Sequence, residues 1–325
     1  MMFIFKNTRS TKTKIIAQGS GGIIYYVNKK KGNILGNTLQ THAIFKYLKR
    51  NNPNQIISEL RSCFIENSVN INKSNGIIIN KKYFNLKNIL KFKYLEYLRY
   101  LYTKNKYTNN IKIYIQYPVG YINLNTFQEN IFNKKQKKSN ICLRIIIDIT
   151  QGIVETHKAN IIHGDLKPDN IVYFKQDKRW KLIDFGLSLP INPIEKKIEK
   201  LPHQYLASKA YRSLKHLKKE LTHYDFSVDI FSLGIIILEL VIGNINGSNY
   251  ICYDKNLNTH ISNIEKLIYI RKEKVVKYLL KFINIEENNL VEREKFCKII
   301  KLALSMLNEE TSLSSCEYLQ LLKKI

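Results

Sequence analysis

Hydrophobic and polar residues follow two different patterns along the chain, and the change falls near residue 118. Before it, β-branched and aromatic residues form short runs or alternate with polar residues, which is typical of strands. Such runs are TKIIAQGSGGIIYYVNKK, THAIFKYL, GIII at 76–79 and NIKIYIQYP at 110–118. The glycine cluster inside the first run suggests two strands joined by a tight turn. The first part of the chain is therefore predicted to be rich in strands.

Apolar residues at helical spacing dominate the second part of the chain. Segment 141–157 and most of the chain after 217 follow this spacing, whereas 161–190 is predicted to form short strands and loops. In the first part, one helix is predicted after Pro53 and an amphipathic helix is predicted over 86–102. The pattern contains no internal repeat and predicts an α+β fold, with strands first and helices later.

Composition narrows the class of protein. The chain has 325 residues, 44% of them hydrophobic, which is enough for a sizeable core. Its five cysteines are far apart and form no CxxC pair, so neither a disulfide scaffold nor a structural zinc site is predicted. The apolar start is too short for a secretion signal, and the apolar run from Ile230 to Ile242 is too short to span a bilayer. We expect an intracellular protein of the cytoplasm or nucleus.

Charge is the unusual feature of the composition. The 53 Lys and Arg exceed the 26 Asp and Glu and give a formal net charge of +27. Such an excess suits a nucleic-acid or membrane partner, but lysine, asparagine, isoleucine and tyrosine are abundant everywhere, which favours a general compositional bias. No basic motif interleaved with aromatic residues supports nucleic-acid binding. The local cluster NKKQKKSN at 133–140 is interpreted as a solvated turn.

The residues most informative about chemistry lie in IIHGDLKPDNIVYF (161–174) and WKLIDFGLSLP (180–190). Asp165 and Asp184 each follow a short apolar run, and Lys167 and Asn170 come two and five residues after Asp165. Phosphoryl transfer requires such a set: oxygen ligands for metal ions, a carboxylate that orients the attacking hydroxyl, and a cation that offsets charge on the transferred group. A capping or turn role would explain a single Asp, but not four such residues in this order.

HGDLKPDN resembles the catalytic loop of the eukaryotic-type protein kinase superfamily, usually written HRDLKPxN, and the DFG motif is intact. The resemblance implies a bilobal fold of one kinase domain over 1–325, with an N-lobe to about 117 and a C-lobe from about 118. It also implies roles for four residues. Asp165 would accept the substrate hydroxyl proton, and Lys167 would stabilise the transferred phosphoryl group. Asn170 and Asp184 would be the metal ligands, with ATP and Mg²⁺ as cofactors.

A glycine-rich segment lies upstream, where the family has its phosphate-covering loop. AQGSGGII matches GxGxxGxV, with alanine in place of the first glycine. A hairpin turn is the ordinary interpretation of such a segment, and its order relative to the catalytic loop favours nucleotide binding. The nucleotide-binding residues implied by the resemblance are Ile16, Ala17, Gly19, Ser20, Gly21, Gly22, Ile24, Lys46, Glu59 and Gln116.

Lys46, in AIFK, matches the nucleotide-anchoring lysine of the family, although a surface lysine is the alternative in so lysine-rich a chain. The long gap before it implies an extended hairpin around KKKGNILGN. Either Glu59 or Glu66 would be its partner on the following helix, and Glu59 is preferred because Glu66 falls where the helix ends. In that case 86–102 is an inserted helix of the N-lobe.

The C-terminal half carries two further motifs. SVDIFSLGIIILEL resembles the family's core helix, and its Asp229 is expected to bind the backbone of the catalytic loop. In SKAYRSLK, Ser208 and Tyr211 match the anchor that faces the substrate. The APE triplet is replaced at 213–215, and its usual arginine partner is replaced by Ser312, which indicates a changed structural contact.

Two departures from the family bear on regulation and nucleotide binding. Gly164 replaces the arginine of HRD, which would bind a phosphate on the activation segment, so obligatory activation by phosphorylation is not expected. If Ile115 is the gatekeeper, Pro118 lies where a backbone N–H would donate to adenine, and proline has none. Weaker anchoring of adenine is expected.

The resemblance covers roughly 15–322 and implies a serine/threonine protein kinase, because Lys167 and Ser208 match that branch. Two alternatives stay open. A pseudokinase or scaffold on the same fold is disfavoured by the complete catalytic set. A small-molecule kinase of the aminoglycoside or choline type shares an HGD-like loop but typically lacks the lysine and the core helix. We expect protein substrates, and the positive net charge suggests the hypothesis that they are acidic. We also expect a monomer without a membrane span.

Overall fold

The computed structural model describes 11–18, 23–29, 33–34, 37–38, 42–47, 58–65, 68–73, 76–79, 82–85, 113–132, 139–199, 206–242, 257–269, 272–283, 289–308 and 313–325. The chain divides into two compact units. The first comprises Met1–Asn67 and Ile71–Gly120, and the second comprises Ser68–Asn70 and Tyr121–Ile325. The predicted helix over 86–102 and most of the basic cluster at 133–140 lie outside the described residues.

The first unit is built on a six-stranded antiparallel sheet. Its strands are β1 Thr11–Gln18, β2 Ile23–Lys29, β5 His42–Tyr47, β6 Gly76–Ile79, β7 Lys82–Asn85 and β8 Ile113–Tyr117, in the order β1-β2-β5-β8-β6-β7. A short pair, β3 Asn33–Ile34 and β4 Asn37–Thr38, lies in the connection between β2 and β5. The predicted strands are confirmed. Strand β7 was not predicted, because its two apolar residues, Tyr83 and Phe84, are flanked by lysine and asparagine.

The sheet register places Lys46 in the middle of a central strand. Lys46 pairs with Ile24 of β2 on one side and with Ile115 of β8 on the other. Residues directly opposite each other on neighbouring strands share a face of the sheet, so these three side chains form one row. The described part of the helix predicted after Pro53 is helical at 58–60 and continues as a 3-10 helix, Arg61–Phe64.

The second unit is mainly helical. Its helices are α1 Leu124–Phe127, α2 Ser139–Lys158, α3 Leu214–Leu217, α4 Ser227–Ile242, α5 Leu257–Tyr269, α6 Lys272–Leu279, α7 Leu290–Met306 and α8 Ser315–Leu322. Three short sheets accompany them. Strands β9 Ile122–Asn123, β11 Ile171–Phe174 and β12 Arg179–Leu182 form the first, β10 Ile161–Ile162 and β13 Leu189–Pro190 the second, and β14 Lys197–Glu199 and β15 His223–Asp225 the third. Both the helical second part and the strand-and-loop region at 161–190 are confirmed.

Helix α4 forms the centre of the second unit. From Val228 to Ile242 every residue is buried except Glu239, so this helix has almost no polar face. It packs against α2 and α7. A Cβ atom on Gly234 would lie 2.9 Å from Leu307 Cδ2 and 3.0 Å from the carbonyl oxygen of Ala303, so the glycine permits the close approach of α7. Among the described helices, none is long and apolar enough to cross a membrane.

Candidate active site

Asp229, in the first turn of α4, holds the backbone of the loop that follows β10. Its carboxylate accepts hydrogen bonds from the backbone N–H groups of His163 (2.8 Å) and Gly164 (3.0 Å) and from Nε2 of His157 (3.0 Å). Burial alone would raise the pKa of Asp229, but the hydrogen bond and charge of His157, with further contributions from His163 and Gly164, lower it. The role predicted for Asp229 is confirmed.

Asp165 lies in this loop and its side chain is surrounded by polar partners. Lys167 Nζ lies 2.7 Å from Asp165 Oδ2, and Ser208 Oγ donates to Asp165 Oδ1 at 2.8 Å. Lys167 Nζ also donates to Ser208 Oγ at 3.1 Å. These contacts hold one carboxylate, one ammonium group and one hydroxyl group together.

Asn170 follows at the end of a short 3-10 helix, Pro168–Asn170, and is turned toward Asp165. Its Nδ2 donates to the Asp165 carbonyl oxygen at 2.8 Å and lies 3.2 Å from Asp165 Oδ2. Because Nδ2 serves as the donor, Oδ1 is the atom of Asn170 that can face a cation. The structure therefore brings Asp165, Lys167 and Asn170 together.

Asp184 begins the DFG motif directly after β12 and Ile183. The Ile183 N–H donates to the Asn170 carbonyl oxygen at 2.9 Å, and His163 Nε2 donates to the Ile183 carbonyl oxygen at 3.0 Å. These two bonds hold the start of DFG beside the catalytic loop. Asp184 has a left-handed backbone with φ of 61°, a conformation that non-glycine residues rarely adopt and that recurs at functional sites. Phe185 is buried, with its ring centroid 4.6 Å from that of His163.

Gly164 also has a left-handed backbone, with φ of 79°. A Cβ atom at this position would lie 2.7 Å from the Leu187 carbonyl oxygen and 3.1 Å from Leu206 Cδ2. The Gly164 carbonyl oxygen accepts a hydrogen bond from the N–H of Ala207 at 2.6 Å. Where the family usually has arginine, the segment after DFG therefore packs directly on the catalytic loop.

In the first unit, Lys46 Nζ forms an ion pair with Glu59 Oε1, and only 7% and 1% of these residues' surfaces are exposed. Tyr117 donates its hydroxyl hydrogen to Glu59 Oε2 at 3.2 Å. Glu59 is thus the partner of Lys46 in the structure. Glu66 lies outside the described residues, as do the four nucleotide-binding candidates at 19–22.

The remaining nucleotide-binding candidates lie on β1, β2 and β8. Ile24 is opposite Lys46, and the register of β1 against β2 shifts between Ile15 and Ala17, so Ile16 forms an irregularity just before the glycine segment. Gln116 pairs with Phe45 and therefore points to the sheet face opposite Lys46. Its buried side chain is therefore not brought to Lys46.

Two carboxylates on α2 bind backbone N–H groups of neighbouring segments, a role that was not predicted from the sequence. Asp148 accepts the N–H of Trp180 at 3.0 Å and faces Arg179 Nη1 at 3.3 Å. Glu155 accepts the N–H groups of residues 69 and 70 at 3.2 and 3.0 Å. The signal was present, because the two residues are seven apart and share the apolar face of α2.

A third carboxylate that was not predicted from the sequence is Glu239, which is half-buried whereas every other residue from Val228 to Ile242 of α4 is buried. Tyr211 donates its hydroxyl hydrogen to Glu239 Oε2 at 3.1 Å. Burial raises the pKa of Glu239 to about 7. The hydrogen bond from Tyr211 lowers this pKa, and the negative charge of Asp169 raises it slightly. Burial and the nearby Glu239 also raise the pKa of Tyr211. A protonatable carboxyl group therefore lies against Tyr211 of the SKAYRSLK segment.

Comparisons with known proteins agree with this geometry. Residues 16–324 match the family model described as "Protein kinase domain". Similar proteins include the probable serine/threonine-protein kinase fnkB of Dictyostelium discoideum (29% identical), calcium-dependent protein kinase 4 of Plasmodium falciparum (34%) and mitogen-activated protein kinase 13 of Arabidopsis thaliana (27%). The matches cover 52%, 37% and 51% of this chain.

The same matches cover 29%, 22% and 44% of the three relatives, so the chain spans less than half the length of these curated proteins. The family model, by contrast, covers nearly all of this chain and both of its units. The chain belongs to the protein kinase domain family.

Proposed function

We propose that the chain is an active serine/threonine protein kinase, which transfers the γ-phosphoryl group of ATP to serine or threonine hydroxyls of protein substrates. The observation that carries the proposal is the contact of Asp165 with Lys167 and Ser208, with Asn170 and the DFG segment bonded to the same loop. A protein that only bound nucleotide would have no need of a carboxylate held in this way.

Asp165 is assigned as the group that accepts the proton of the attacking hydroxyl. Ser208 and Lys167 fix its two carboxylate oxygens in position, which is the positioning that a base requires in the absence of covalent catalysis. Lys167 also supplies positive charge next to the place where charge develops on the transferred group.

Asn170 and Asp184 are assigned as the metal ligands. One amide oxygen and one carboxylate suit a hard divalent cation such as Mg²⁺, which keeps several water or phosphate ligands of its own. Within the described part of the chain, no group of three or more His, Cys, Asp or Glu side chains forms another candidate metal site. The bound metal would neutralise charge on the phosphates of ATP.

Lys46 is assigned to the nucleotide phosphates, with Glu59 as the residue that positions it. An ammonium group this deeply buried requires a carboxylate partner, and Glu59 provides it. The β2 residue Ile24 lies in the same row of side chains, as expected for a strand that follows a phosphate-covering loop.

The test is phosphate transfer from labelled ATP to a panel of acidic, basic and proline-directed peptides. Asp165→Asn should lower kcat by about 10²- to 10⁴-fold, because a positioned base contributes that much. Asp177→Asn, at an exposed Asp of the β11–β12 turn, is the matched control and should leave kcat unchanged. Wild-type protein that binds ATP and transfers nothing would favour the scaffold alternative, and an Asp165→Asn variant as active as wild type would refute the assigned base.

Three further features belong to the proposal. Acidic protein substrates are supported by the net charge of +27. An intracellular address in the cytoplasm or nucleus is supported by the spacing of the cysteines. A monomer is proposed as the active form, because the assigned catalytic groups all come from one chain, and light scattering of the active enzyme tests it.

A further inference from the structure

A groove of about 420 Å³ lies on the second unit, formed by residues other than the assigned catalytic and metal-binding ones. One wall is the first half of α2, and the other is the turn that joins β11 to β12. Its volume suits a few side chains of an extended peptide, and it is too small for a folded domain.

The floor of the groove is apolar and its rim is basic. Leu143 and Ile147, one turn apart on α2, are half-buried at the floor. Arg144 of α2 and Lys178 of the turn are exposed at the rim. The Arg144 guanidinium donates to the Lys178 carbonyl oxygen at 3.3 Å, which holds the two walls together.

The carboxylates of the groove already have partners. Asp148 is occupied by Arg179 and the N–H of Trp180, and Asp177 lies 2.7 Å from Lys181 Nζ. Lys178, in contrast, makes no ion pair with any residue that the structure describes, and Arg144 binds only a neutral carbonyl there. Among the residues that the structure describes, no carboxylate pairs with the positive charges of Arg144 and Lys178 at the rim.

We propose that this groove is a docking site for an acidic segment of a protein partner. A carboxylate of the segment would pair with Arg144 and Lys178, while a neighbouring aliphatic side chain would cover Leu143 and Ile147. The net charge of +27 also favours an acidic partner over a basic one.

The proposal rests on the proposed function in one respect, since a docking site gives a kinase a second contact with its substrate. A second contact raises the local concentration of the substrate at the catalytic groups. It should therefore lower KM for substrates that carry the acidic segment and leave kcat unaffected.

Binding is measured by fluorescence anisotropy with a labelled peptide of alternating glutamate and leucine, and with versions that carry glutamine for glutamate or serine for leucine. The test variant is Arg144→Glu/Lys178→Glu. The matched control is Lys274→Glu/Lys277→Glu on α6, which makes the same charge change at two exposed cations of a helix that packs on α5 and α7.

The test variant should bind the acidic peptide about tenfold more weakly than wild type, because two charge pairs are replaced by repulsion. The control variant should bind within about twofold of wild type, and both altered peptides should bind more weakly. Equal weakening by the control variant would overturn the proposal, since binding would then follow net charge alone. Undiminished binding of the leucine-free peptide would also overturn it.

Activity separates this proposal from the proposed function. With a short neutral peptide substrate, kcat of the test variant should equal that of wild type, and only a substrate extended by the acidic segment should show a raised KM. An inactive wild-type protein that still binds the acidic peptide through Arg144 and Lys178 would refute the kinase function and leave the docking site intact.

Discussion

Asp165 is positioned by residues that are both near and far in the chain. Lys167 and Asn170 lie within five residues of it, whereas Ser208 lies 43 residues away and contacts it at 2.8 Å. Because Ser208 satisfies one oxygen and Lys167 the other, the carboxylate cannot rotate freely. This local order is what a general base needs when the protein does little covalent chemistry.

Pro118 comes directly after β8 and has no backbone N–H; if Ile115 is the gatekeeper, the family resemblance places a donor to adenine at this position. Pro118→Ala restores an N–H group, and one hydrogen bond is worth about 0.5–1.5 kcal/mol. We therefore expect KM for ATP to fall about two- to tenfold, measured by steady-state kinetics with a saturating peptide. Val119→Ala, at the next residue, is the control and should leave KM for ATP unchanged, while an unaltered KM for Pro118→Ala would contradict the expectation that Pro118 weakens adenine anchoring.

Glu239 predicts a pH dependence of stability. The pKa of its carboxyl group is about 7 in the folded protein and has the ordinary value of 4.5 in the unfolded chain. Between these values the folded state binds the extra proton, so stability is highest below pH 4.5 and falls until about pH 7. The loss is on the order of 3 kcal/mol.

Glu239→Gln retains an acceptor for Tyr211 and cannot ionise. In urea unfolding, wild type should lose about 3 kcal/mol of stability through this group between pH 4.5 and pH 8, and the variant should not show this loss. Glu273→Gln, at an exposed glutamate in the first turn of α6, is the control. An identical pH profile for wild type and Glu239→Gln would contradict the raised pKa.

At the scale of elements, the described parts of the segment after DFG, 187–199 and 206–208, are held by strand pairing and apolar packing. Strand β13 pairs with β10, and β14 pairs with β15. A buried cluster joins these elements to α4, and its members are Ile162, Ile191, Leu206, Tyr224 and Val228. Gly164 binds the same segment through its carbonyl oxygen. These contacts hold the segment to the catalytic loop and to α4 without a phosphate or an arginine at position 164.

The segment should therefore not require phosphorylation. Dephosphorylated enzyme is expected to keep its activity, measured before and after phosphatase treatment. Ser188 is fully buried, which makes it a poor phosphorylation site in this conformation. A large rise in activity on phosphorylation, abolished by Tyr205→Phe or Ser188→Ala, would contradict the prediction.

Gly164→Arg restores the residue that the family usually has and tests the same element. Because φ is 79° and a Cβ atom would lie 2.7 Å from the Leu187 carbonyl oxygen, the variant should lose more than about 1 kcal/mol of stability without gaining control by phosphate. Gly120→Ala is the control in thermal unfolding. A Gly164→Arg variant as stable as wild type would show that the loop can move away from Leu187.

At the scale of the whole molecule, the net charge of +27 should act on association. Raising the salt concentration from 0.1 to 1 M shortens the screening length from about 10 Å to about 3 Å. We expect KM for an acidic peptide to rise steeply over this range, while KM for a neutral peptide of the same length stays constant. Parallel behaviour of the two peptides would mean that the charge has no part in substrate binding.

Much of the fold and of the candidate site followed from local spacing. Asp165, Lys167 and Asn170 lie within six residues, so their order alone identified the chemistry, and the unbroken apolar character of α4 identified the central helix. Strand β7 and the supporting carboxylates were not found. The polar residues that flank β7 hide its periodicity, whereas Asp148 and Glu155 share the apolar face of α2, so their burial could have been predicted from the helical spacing.

The contacts that remained open in the sequence join residues far apart in the chain. The choice of Glu59 for Lys46, the bond from Ser208 to Asp165 and the groove between α2 and the β11–β12 turn all depend on how separate elements pack. Spacing along the chain encodes the period of one helix or strand, and it does not encode which elements meet. The packing of elements that are distant in the sequence therefore sets the distances on which the proposed chemistry and the proposed docking site depend.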